Sequence, residues 1–199
     1  MDHLVVPLDP GHVHVIDELI GGVAGAAGLA PALEASSPHL TLIAHSGLDR
    51  ARVSTAIGPV AAATAPFTIH AHGYGFFTGP EPSDLSLHVP VVRSGPLDAL
   101  HGELCAALRE AGAEIAGWSA PELWSPHITL LDRQLSPAKL GAAATWLAQR
   151  HHPSWRIPID GVAITGGWRQ RNRPAAVLPL GRGSESIPER TKARTHEHP

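Results

Sequence analysis

Apolar positions along the chain change their period repeatedly, and each change marks an element. A short apolar run over 3–8 reads as a strand, after which Val13, Ile16, Ile20 and Val23 recur at helical spacing to about residue 27. Residues 38–44 read as a short strand and 48–64 as an Ala-rich helix. A long strand over 66–77 and another over 85–92 follow, with Gly79-Pro80-Glu81-Pro82 as the turn between them. The second half opens with Leu97, Leu100, Leu104 and Leu108 on one helix face. It continues with a strand around His127, a helix over 136–150, and strands over 155–165 and 175–180; Ser136 and Pro137 supply the helix with an N-cap and a first residue. Helices mixed with hairpin-like strand pairs predict an α+β fold. Periodicity stops after residue 180, and Gly, Ser, Glu, Lys, Arg and Pro take over through 181–199, the composition of a disordered tail.

The chain repeats itself. Ser37-Pro38-His39-Leu40-Thr41-Leu42-Ile43 returns as Ser125-Pro126-His127-Ile128-Thr129-Leu130-Leu131, with five of seven residues identical. At the same offset of 88 residues, without a gap, Phe67 falls on Trp155, Ile69 on Ile157, Gly73 on Gly161, Tyr74 on Val162, Phe76 on Ile164, Val89 on Val177 and Val92 on Leu180. The period is too long for a solenoid repeat, whose units run to ~20–50 residues. The reading is a duplicated half-domain: one bilobal unit over 1–180, with its motifs at 37–43 and 125–131. Two antiparallel sheets face a central groove and helices lie outside.

Composition narrows the function classes. The formal net charge of −3 gives no basic field of the kind that grips long nucleic acid, so long duplex DNA is not an expected partner. The single cysteine, Cys105, excludes an internal disulfide and a thiolate metal cluster, and its place among Leu100, Leu104 and Leu108 makes it a buried helical thiol. Residues 1–3 lead directly into an apolar run without a basic signal-peptide region, and no stretch reaches the ~20 apolar residues of a membrane span. A cytoplasmic monomer without membrane contact is the expectation.

Within a strand, residues two apart share a face, so His39 and Thr41 point one way while Leu40 and Leu42 point the other; His127 and Thr129 repeat the pattern. If the halves pack about a pseudo-twofold axis, the two pairs meet across a cleft. That arrangement suits attack on a phosphodiester. One neutral imidazole takes the proton of the attacking water or hydroxyl, the other, protonated, donates to the leaving oxygen, and the threonines bond the non-bridging oxygens as charge builds. The scheme needs no metal and no cofactor.

The paired His-x-Thr-aliphatic motifs resemble the signature of the 2H phosphoesterase superfamily, which includes 2′-5′ RNA ligase-like proteins and 2′,3′-cyclic nucleotide phosphodiesterases. The resemblance covers residues 4–180. It implies a bilobal α+β fold with His39, Thr41, His127 and Thr129 lining a groove, acting on a 2′,3′-cyclic or 2′-5′ phosphodiester of an RNA end or small nucleotide. It leaves open which histidine is the base, and whether the direction is hydrolysis or ligation. A relative that binds a nucleotide or phosphate without turnover is the alternative.

Outside the motifs, Trp124, Trp168 and Arg169 are candidate substrate contacts by base stacking and phosphate binding, with Arg171 and Arg173 beside them. A core anchor is the competing reading for Trp124. The pairs His12/His14 and His70/His72 have a spacing that could chelate zinc, but lack a nearby Cys or clear carboxylate partner, so they read as surface or groove-edge histidines. His45 reads as a loop histidine near the first motif. Gly21, Gly22, Gly25 and Gly28 lie within a helical pattern and indicate close helix packing, not a dinucleotide loop.

Overall fold

The structure is a computed structural model that describes residues 1–29, 37–150, 152–165 and 177–181. In chain order the elements are β1 (Asp2–Pro7), α1 (Pro10–Ala26), β2 (His39–Ser46), α2 (Arg50–Ala63), β3 (Phe67–His72), β4 (Gly75–Phe77), β5 (Leu85–Pro90) and α3 (Gly95–Glu110). Then come β6 (Glu114–Ile115), a 3-10 turn (Gly117–Ser119), β7 (His127–Leu135), α4 (Pro137–Ala148), β8 (Ser154–Ile159), β9 (Gly161–Thr165) and β10 (Val177–Pro179). Three helices start on a side chain that satisfies backbone N–H groups the helix itself leaves unpaired: Asp9 for α1, Asp49 for α2 and Ser136 for α4.

The fold is α+β with two antiparallel sheets, and the halves share the larger one. Its strands run β10-β9-β1-β2-β7-β5-β4 with β6 beside β2, while β3 and β8 form a two-stranded ribbon. The two motif strands, β2 and β7, are central neighbours and pair at Leu40 and Ile128, the same position of the two repeats. The ribbon likewise pairs Ile69 with Ile157. Equivalent residues that face each other mark a local twofold axis, and the outer strands obey it. Gly75, Phe76 and Phe77 face His88, Leu87 and Ser86, as Ala163, Ile164 and Thr165 face Val5, Leu4 and His3. Helices follow the same exchange: α1 packs on α4 and β7, and α3 on α2 and β2. In α1, Gly22 meets the Trp146 ring of α4 so closely that any Cβ would collide with it.

Three differences from the sequence reading have plain causes. The strand read over 66–77 is broken at Gly73, whose φ of 72° is left-handed, so β3 joins the ribbon and β4 the main sheet. The strand read over 155–165 breaks at the equivalent place, before Gly161, where a Cβ would lie 2.5 Å from Val177 Cγ1. The uniform offset also fails for the first strands: Pro7 lies opposite His39 and Pro90 opposite His127, so β1 corresponds to β5 with Pro7 and Pro90 equivalent. Val89 and Val92 therefore do not match Val177 and Leu180, because β5 crosses to pair with β7 whereas β10 stays beside β9.

Candidate active site

Each motif begins with Ser-Pro, and the structure gives that dipeptide a task. Proline holds the preceding residue extended, and the Ser37 and Ser125 carbonyls accept hydrogen bonds from Nδ1 of His39 at 2.9 Å and of His127 at 2.7 Å. A carbonyl can only accept, so Nδ1 carries the proton in both rings and Nε2 is the atom left for proton transfer. The Leu40/Ile128 pairing sets the two motifs antiparallel at the centre of the sheet, with His39, Thr41, His127 and Thr129 on the face opposite the buried Leu40 and Ile128.

Directly after each threonine the strand bulges. Val5 faces Thr41 but Leu4 faces Ile43, which skips Leu42; His88 faces Thr129 but Leu87 faces Leu131, which skips Leu130. A bulge inserts one residue and bends its strand, and two bulges at equivalent places turn both motif ends relative to the sheet.

Both imidazoles titrate below their ordinary value. For His39 burial is the main cause, opposed by the Ser37 carbonyl and reinforced by the nearby His127. For His127 burial again dominates, opposed by the Ser125 carbonyl and by Asp132. Burial penalises the charged form of each ring, and the two rings are close enough to repel each other when both are charged.

Sequence reasoning missed three residues on this face. His88 lies opposite Thr129, 5% exposed, with its ring centroid 5.0 Å from that of His127; burial first, and His127 second, push its pKa down to about 4. Phe77 stacks on His88 at 4.1 Å and meets His127 edge-on at 4.8 Å. His3, two residues from Val5 on β1, titrates below its ordinary value, chiefly through burial and next through the nearby His39. The signal for His88 was a lone polar residue in Leu87-His88-Val89-Pro90 where the equivalent strand reads Leu4-Val5-Val6-Pro7. The ungapped alignment hid that match.

Trp124 is not a stacking surface. It is 4% exposed, with His101 stacked on its ring at 3.9 Å, Arg93 5.9 Å from the ring centroid, and its Nε1 donating to the Thr41 carbonyl at 3.2 Å. It anchors the first motif strand from within the core, a bond worth about 1 kcal/mol. Trp168, Arg169, Arg171 and Arg173 lie outside the described residues. His45 is on β2 and fully buried, not in a loop. His12 and His14 do have carboxylate partners, Asp9 at 2.5 Å and Glu18 at 3.5 Å, while His70 and His72 are exposed on β3. Among the described residues no three of His, Cys, Asp and Glu converge as metal ligands would. No helix among them is long and apolar enough to cross a membrane.

The buried histidines make stability pH-dependent. His88 and His101 both drop to about 4 in the fold from an ordinary 6.5, burial being the main cause, so the unfolded chain takes up protons that the folded chain refuses. Their contribution is complete above pH ~6.5 and is lost as pH falls toward 4, by about 2 kcal/mol each at pH 5. Urea denaturation is expected to give a lower midpoint at pH 5 than at pH 7.5; an unchanged midpoint would mean that the rings are protonated in the fold.

The 2′-5′ RNA ligase superfamily model matches residues 8–169. Among solved structures, TT0787 of Thermus thermophilus is 20% identical with a TM-score of 0.57, covering 82% of this chain and 86% of its own. E. coli LigT complexed with 3′-AMP is 17% identical with a TM-score of 0.55, covering 90% and 97%. LigT complexed with NADP+ gives 18% and 0.52, covering 90% and 96%. At these identities the likeness establishes the fold. No curated protein matches the chain in sequence.

Proposed function

The chain belongs to the 2′-5′ RNA ligase superfamily, and from that premise we propose that it is a metal-independent phosphodiesterase acting on the 2′,3′-cyclic or 2′-5′ phosphodiester of RNA ends or small nucleotides. The observation that carries this reading is the twofold-related pair of imidazoles, each with Nδ1 tied back to a serine carbonyl. A single phosphate between them meets one Nε2 as base and the other, protonated, as acid. The hydroxyls of Thr41 and Thr129, on the same face, bond the non-bridging oxygens, where negative charge grows in the transition state. Small nucleotides as ligands accord with the 3′-AMP and NADP+ complexes of E. coli LigT.

Incubation of purified protein with nucleoside 2′,3′-cyclic phosphates and 2′-5′-linked dinucleotides, with and without EDTA, tests the proposal. Turnover that is the same under both conditions is expected, since side chains supply both proton transfers and the charge stabilisation. Tight binding without turnover would make the protein a nucleotide-binding relative. Turnover abolished by EDTA and restored only by a metal would overturn the scheme.

A further inference from the structure

Among the described residues, the cleft departs from its own twofold symmetry at β4 and β5. On the His127 side, β4 and β5 present Phe77 and His88; the twofold-related positions on the His39 side are Thr165 and Val5. His88 lies flat beneath Phe77, with rings 4.1 Å apart and 19° from parallel, and is accommodated because residue 75 is glycine: a Cβ there would stand 2.6 Å from His88 Nε2. One face of Phe77 is thus covered by His88 and His127 stands at a steep angle to it, yet the residue is 37% exposed. A large apolar ring held open to solvent on a short edge strand costs stability and invites strand pairing unless something covers it. His88 itself stays uncharged near neutral pH, which keeps the pedestal an aromatic surface and not a cation beside the phosphate site.

We propose that Phe77, carried on His88, is the platform on which the nucleobase of the substrate stacks, which directs the nucleoside to the His127 end of the cleft. This rests on reading the cleft as a nucleotide phosphate site. The chemistry fits: a flat π-face beside a phosphate position accepts any base, because every base has a π-face, and stacking of this kind is tolerant of sequence. The substrate class is therefore a nucleotide with its base attached, purine or pyrimidine, and not a base-free phosphodiester.

Calorimetric titration with 3′-AMP and with inorganic phosphate, on wild type, Phe77→Ala and Phe77→Trp, tests this without depending on turnover. Phe77→Ala is expected to raise the Kd for 3′-AMP by about five- to a hundredfold, the range of one base–aromatic stack, and to change the Kd for phosphate far less. Phe77→Trp regains the lost 3′-AMP affinity. Phe77 sits at the surface of an edge strand, so circular dichroism should report both variants folded. An alanine variant that binds 3′-AMP like wild type, or weakens for 3′-AMP and phosphate in the same proportion, overturns the platform even if the protein turns over cyclic phosphates. Selective loss for 3′-AMP in a protein without turnover supports the platform and defeats the phosphodiesterase reading alone.

Discussion

Turnover of a nucleoside 2′,3′-cyclic phosphate is expected to fall by about 10²–10⁴ in His39→Ala and by a similar factor in His127→Ala, the range for loss of a positioned general acid or base. Both rings stand on the cleft face, while the residues between and behind them, Leu40 and Ile128, carry the core, so the variants should fold. Lost activity with retained stability is therefore the expected pair of results. Because the two groups act in one step, the double variant should lose little more than either single one. Steady-state rates and thermal melts on the three proteins check this. A single variant with near wild-type turnover would make the paired motifs scaffold.

The second large effect concerns the hydroxyls. Thr41→Val and Thr129→Val keep the side-chain shape and the β-branched preference for a strand, and remove one donor each. A hydrogen bond to a charged phosphate oxygen is worth about 1.5–3 kcal/mol, so each variant should lose roughly ten- to over a hundredfold in kcat/KM. The motif strands are related by a twofold axis, so both hydroxyls are expected to contribute. Initial rates at low substrate measure them; loss confined to one variant would mean that only one hydroxyl reaches the phosphate.

Most of this geometry was legible in the sequence because duplication writes it twice. Ile69 and Ile157, aligned by the offset alone, turn out to be paired across the axis, and Leu40 and Ile128 likewise. What the repeat could not carry is what differs between the halves. Phe77 and His88 have Thr165 and Val5 as their counterparts, so no recurrence singled them out, and the shorter spacing of the first strands placed His88 out of register. Trp124 was ambiguous because an indole before a motif strand reads equally as a stacking surface or an anchor; only the His101 and Arg93 neighbours, 23 and 31 residues earlier in the chain, decide it. Breaks at Gly73 and Gly161 were invisible to hydrophobic pattern, since a left-handed turn in one case and a close strand in the other leave the alternation on both sides intact.

The pH dependence of kcat/KM tests the central claim, that two twofold-related imidazoles divide one proton transfer between them. Wild type should give a bell-shaped profile whose apparent values belong to the pair. Burial lowers both imidazoles, and His127 lowers His39 further, so the optimum should lie on the acid side of pH ~6.5. His39→Ala and His127→Ala, assayed where residual activity is measurable, should each lose one limb, and not the same one. A profile flat from pH 4 to pH 8, or one in which both variants keep both limbs, would contradict the account.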